Sequence, residues 1–105
     1  MILYHRTTKA SARKIFRGGF RDRSGTYGTS RTHRGVWLSN MPLDCNEGAW
    51  GDILLQIDLP EQAIADYEWI EEEGKPYREW LVPARLITKQ AQTKIIVVDE
   101  DEEQG

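Results

Sequence analysis

Cysteine is almost missing from this chain: Cys45 is the only one in 105 residues. One cysteine cannot close an internal disulfide, so a cytoplasmic, reducing setting is the economical expectation. Only two histidines, His5 and His33, accompany it. One thiol and two imidazoles are a poor ligand set, so no metal is expected. No stretch approaches the ~20 apolar residues that cross a bilayer, and no membrane partner is expected. Residues 1–6 show no basic region leading into an apolar run, so they do not read as a secretory leader. Acid is scarce early on: through residue 41 the chain has nine Lys/Arg and one acid, Asp22. Residues 42–105 reverse this, with five bases against sixteen acids, for a net charge of −3. A cationic half in an acidic chain fits an anionic partner, such as nucleotide or nucleic-acid phosphates. It fits equally two solvated faces that partly neutralise each other.

What is present is enough for one modest core: 39% apolar residues, four of the side chains being tryptophan. Residues 1–98 read as a single domain and 99–105 as an acidic, disordered tail. Residues 2–5 form a first apolar strand. Thr7 or Thr8 can cap a helix over 9–17, with Ala10, Ala12, Ile15 and Phe16 as its apolar stripe and Gly18-Gly19 ending it. Phe20 then tucks back onto the core. Residues 21–34 form a long polar loop carrying Arg21, Arg23, Arg31 and Arg34, either closing over a phosphate-bearing ligand or merely solvated. Strands follow at 35–39 and 52–59, the latter apolar enough to be central, with a loop at 40–51 and a helical turn near 44–49. Residues 61–65 could make a turn of helix. Residues 66–71 read as a fourth strand with Tyr67 and Trp69 on one face, and 86–87 and 94–98 as further strands. Mostly strands with one clear helix means α+β.

The chain reads as organised around Tyr77-Arg78-Glu79-Trp80-Leu81-Val82, bracketed by Pro76 and Pro83. Aromatic and β-branched residues make it a strand. Alternation puts Tyr77, Glu79 and Leu81 on one face and Arg78, Trp80 and Val82 on the other, the last two suiting a core. Glu79 on a partly apolar face costs free energy unless it is paired or used. It can pair with Arg78 or Arg85, lie exposed at a sheet edge, or be functional. His5 ends the first strand and Trp37 lies mid-strand after Gly35. A histidine, an aromatic and a glutamate on three strands suit a flat ring attached to a ribose. The aromatic stacks on the ring, the histidine donates to a hydroxyl or phosphate, and the carboxylate steadies an oxocarbenium-like transition state.

Three segments carry a resemblance: Leu3-Tyr4-His5-Arg6-Thr7, Gly35-Val36-Trp37-Leu38-Ser39 and Tyr77-Arg78-Glu79-Trp80-Leu81-Val82. In order and local pattern they resemble the signature strands of ADP-ribosyltransferases of the diphtheria-toxin and poly(ADP-ribose) polymerase type, which carry a His-Tyr-Glu triad. The resemblance spans residues 3–82. It implies a compact fold of two small packed antiparallel sheets with one main N-terminal helix. It implies NAD as co-substrate, with His5 on the adenosine ribose, Trp37 stacked on nicotinamide in place of the family tyrosine, and Glu79 on the nicotinamide ribose. Arg6, which replaces a family glycine, would either point away or reach a phosphate, and Gly35, Thr7 and Ser39 would border the pocket. The implied activity is mono-ADP-ribosyl transfer to a protein or nucleic-acid acceptor. RNA 2′-phosphotransferases share the fold and a similar second segment, and a catalytically inactive module binding NAD, ADP-ribose or a partner is the further alternative.

Overall fold

The structure is a computed structural model that describes residues 1–26, 29–42, 51–70 and 74–98. Cys45, the expected helical turn at 44–49, the acids at 71–73 and the tail at 99–105 lie outside the described residues. The order is β1 (Ile2–Thr7), α1 (Lys9–Gly18), β2 (Arg23–Gly25), β3 (His33–Ser39), β4 (Ile53–Asp58), α2 (Glu61–Ile64), a 3₁₀ turn (Ala65–Tyr67), β5 (Glu79–Val82), α3 (Ala84–Gln90) and β6 (Gln92–Val98). The described residues form an α+β domain with an antiparallel sheet and three α-helices, of which α1 is the longest.

The sheet runs β2-β3-β1-β4-β6, with β5 also paired to β3. All its pairings are antiparallel. As its apolar sequence requires, β4 is interior: β1 lies on one side over six residue pairs and β6 on the other. The expectation of two separate sheets is corrected here. The strands form one hydrogen-bonded system, but β1 and β3 meet at a single registered pair, Tyr4 and Ser39. One seam residue pair therefore joins a β1-β4-β6 half to a β2-β3-β5 half.

Register decides the faces. Leu3, Leu55, Ile57, Leu38, Trp80 and Val82 share one side and are at most 1% exposed. Ala12 of α1, Ile64 of α2 and Ala84 and Ile87 of α3 close over the same cluster. The Thr8 hydroxyl caps α1 by accepting from the Ser11 amide at 3.1 Å, and Gly19 ends the helix with φ of 91°. Phe20 is half-buried and packs on the core, as its position after the glycine pair foretold. Phe16 departs from the expected stripe, being 51% exposed.

Two further expectations fail. Residues 86–87 belong to α3, not to a strand. Pro83 stands at its N-cap, and Ala84, Leu86, Lys89 and Gln90 are good helix formers that outweigh the two β-branched neighbours. Pro83 has no capping side chain, so the cap is tertiary: Asp22 Oδ1 accepts from the Ala84 amide at 2.8 Å. Residues 66–70 are not a strand either. The 3₁₀ turn takes the first of them, and only Glu68 bridges to Trp80. Asp66 ends that stretch's β character by favouring turns over ladders.

Candidate functional site

The site is built where the seam opens. Beyond Tyr4 and Ser39 the ladder between β1 and β3 stops, and an imidazole takes the place of the next rung: His5 Nδ1 lies 2.7 Å from the Trp37 carbonyl oxygen. A carbonyl only accepts, so Nδ1 carries the proton. Burial pushes the pKa of His5 below its ordinary value; the bond to Trp37 opposes this and the charge of Arg23 reinforces it. The ring is therefore neutral at pH 7, and Nε2 presents a lone pair. With a neutral ring the one N–H of His5 is taken by the Trp37 carbonyl, which leaves Nε2 as an acceptor. Phe20 braces the ring edge-on at 5.9 Å.

By alternation His5 belongs to the core-facing set with Leu3, whereas Trp37, Ser39 and Glu79 lie on the opposite face of the β3–β5 pair. Ser39 is paired with Glu79 and Trp37 with Leu81. Trp37 and Glu79 are thus diagonal neighbours on one face, within reach of long side chains. The structure brings these two together on one face and links His5 to them through the seam.

Trp69 completes the connection. Its ring meets Trp37 edge-on at 5.0 Å and His33 at 4.9 Å, and its backbone amide donates to the Glu79 carbonyl at 2.8 Å. It also lines a cleft of about 370 Å³ with Glu68, Ile70, Gly74, Lys75, Tyr77, Arg78 and Glu79. The aromatic row Trp37–Trp69 therefore runs from the His5 seam to the cleft that holds Glu79.

The Glu79 side chain is 14% exposed and receives a hydrogen bond from Lys75 Nζ at 3.3 Å. Neither Arg78 nor Arg85 is the partner, contrary to the pairing that adjacency offered. Strand alternation sends Arg78 to the other face, where it forks onto Glu68 at 2.9 and 2.8 Å and covers Trp80 at 4.8 Å. That fork holds the Glu68 carboxyl below the usual carboxylate range and raises Arg78.

The remaining expected residues take quieter places. Ser39 is 4% exposed, and its hydroxyl donates to the Met41 carbonyl at 2.6 Å. Thr7 is 8% exposed at the end of β1. Arg6 shares Tyr4's face, opposite to His5, and its Nη1 donates to the Gly51 carbonyl at 3.3 Å. Gly35 has φ of 155°, and a Cβ there would come within 3.0 Å of Leu81 Cγ and the Val82 carbonyl. A larger residue would push β3 off β5 at the very point where Trp37 is aimed.

Trp69, Lys75 and Phe20 were not among the expected site residues. The signals for Trp69 and Lys75 were an aromatic facing the same way as Tyr67, and a lysine four residues before the glutamate. Among the described residues no three His, Cys, Asp or Glu side chains group as a metal site, and no helix is long and apolar enough to cross a membrane. Compared with models of known families, with curated proteins and with solved structures, the chain matches none.

Proposed function

We propose that this protein is an NAD-dependent mono-ADP-ribosyltransferase with a compact ADP-ribosyltransferase-like fold, passing ADP-ribose to a protein or nucleic-acid acceptor. The observation that carries this is the opened seam. His5 is locked onto the Trp37 carbonyl, Trp37 and Glu79 share one face, and Trp69 spans between them. Trp37 and Glu79 of two resembling segments thus share a face, and His5 of the third reaches the Trp37 backbone from the opposite side of the sheet.

In this reaction the bond between ribose C1′ and the nicotinamide nitrogen breaks, and its electron pair leaves on nicotinamide. The acceptor's nucleophilic atom then bonds C1′ and gives up a proton. Trp37 supplies a stacking surface for the nicotinamide ring. His5 Nε2 accepts a hydrogen bond from a ribose hydroxyl. The Glu79 carboxylate stabilises positive charge gathering on the ribose, as carboxylates do in glycoside cleavage. Arg23 acts on His5 from nearby and suits the pyrophosphate. Lys75 pairs with Glu79 before NAD arrives, and the ribose hydroxyls take its place.

Purified protein incubated with NAD is expected to release nicotinamide, measured by chromatography. Glu79→Gln keeps the fold and lowers the release by about two orders of magnitude or more. No nicotinamide release from the unaltered protein, with or without acceptor proteins and nucleic acid, refutes the transferase. The Lys75–Glu79 pair also favours a second reading, a nucleotide-binding module without turnover. Calorimetry with ADP-ribose separates the two, since binding without nicotinamide release supports the module.

A further inference from the structure

A second concavity lies away from Glu79, between α1 and the edge strand β6. It measures about 530 Å³. Ile95 pairs with Leu55 across the sheet and so shares its core-facing side. Leu55 is fully buried, yet Ile95 is 46% exposed. Ala12 of α1 is buried in the core, but the helix leaves Ile95 half-uncovered. Phe16, on the helix flank above the same gap, is 51% exposed. Ile53, Ile95, Ala12 and Phe16 therefore make an apolar floor and wall.

The rim is of one charge. Lys9, Arg13 and Arg17 follow each other at four-residue steps along α1, and no acid is among the described residues that line the groove. Lys9 reaches Asp52 at 3.9 Å, while Arg13 and Arg17 are solvent-exposed. An apolar trough under a cationic rail is complementary to a segment that carries apolar anchors flanked by carboxylates. We propose that this groove docks a short, acidic, amphipathic segment of another protein, its apolar side on Phe16 and Ile95 and its Asp/Glu side chains on Arg13 and Arg17. The charge pattern selects this occupant. The chain's own acidic run, Asp99-Glu100-Asp101-Glu102-Glu103, has the charge but no apolar side chain for the floor. Nucleic acid would use the rail and leave the aliphatic floor bare.

The test uses fluorescein-labelled peptides of about 18 residues, long enough to form a helix. One has a Leu/Phe face and a Glu-rich face. The second has Lys in place of Glu. The third scrambles the first. Fluorescence anisotropy against the full chain at low salt is expected to show binding of the first alone, weakened at about 0.3 M salt. Arg13→Glu with Arg17→Glu, and separately Phe16→Ser, each weaken it by about tenfold or more. All three positions are exposed, so the variants fold, and unchanged melting temperatures check this. Equal binding of the scrambled peptide, or indifference to these substitutions, overturns the proposal. So does displacement of the bound peptide by a single-stranded oligonucleotide. A dimer of the full chain that Phe16→Ser dissociates makes a second copy the occupant and overturns it too. If only a chain ending at Val98 binds the peptide, the acidic run is the occupant and the proposal fails. Nicotinamide release is read in parallel, so loss of the transferase activity and loss of docking are scored separately.

Discussion

At the scale of single residues, His5 connects the structure most directly to solution behaviour. Its folded pKa lies below the ordinary 6.5, burial being the first cause. The unfolded chain therefore binds the proton more readily than the folded one. The stability that a neutral His5 contributes is fully present above pH 6.5 and is lost as pH falls from there through the folded pKa. Thermal melts stepped downward from pH 7.5 are expected to show this loss, and His5→Asn removes it while lowering the overall melting temperature. Glu68 acts in the same direction in a separate, more acid window. Its carboxyl is held below 4.5, chiefly by hydrogen bonding to Arg78. Because that pair is largely solvated, its share is about 1 kcal/mol or less.

At the scale of elements, the meeting of β3 and β5 is the sensitive joint. Gly35 lies against Leu81 and Val82 with a backbone angle that side-chain-bearing residues rarely adopt. Gly35→Ala is expected to cost about 1–3 kcal/mol by denaturant titration. It also displaces Trp37, so its effect on nicotinamide release exceeds its effect on stability. The end of β1 has a similar constraint, since a Cβ at Gly51 would collide with the Thr7 carbonyl. Trp69 sits in no strand, yet it meets two aromatic rings, Trp37 and His33, through edge contacts. Trp69→Ala, measured by NAD titration, is expected to weaken binding severalfold while leaving the β1–β4 ladder intact.

For the whole molecule, one core lies under one face of a sheet that is nearly two. Leu55, fully buried in the central strand, is a keystone: Leu55→Ala is expected to cost about 2–5 kcal/mol. Hydrogen exchange should report the division. The amides of β4, flanked on both sides, exchange slowest. Those of the short strand β2, and of β1 and β3 beyond the Tyr4–Ser39 pair, exchange sooner. Uniform protection across the seam would contradict this picture.

Most of the elements could be read directly from the residue pattern, because their causes are local. The helix over residues 9–18 follows from a threonine cap, an apolar stripe and a glycine pair. The faces of Glu79 and Trp80 follow from strict alternation, and the central place of residues 53–58 from a largely apolar run. Tertiary structure alone decided the rest. Which strand pairs with which, and where the β1–β3 ladder breaks off, depends on register between segments more than thirty residues apart, which local periodicity does not encode. The same is true of the choice of Lys75 over its neighbours as partner to Glu79, and of Trp69 as the link between the Trp37 indole and the Glu79 backbone. Phe16 looked like core from its spacing, but burial depends on what the fold places against it, and here it lies half-exposed over a groove beside Ile95.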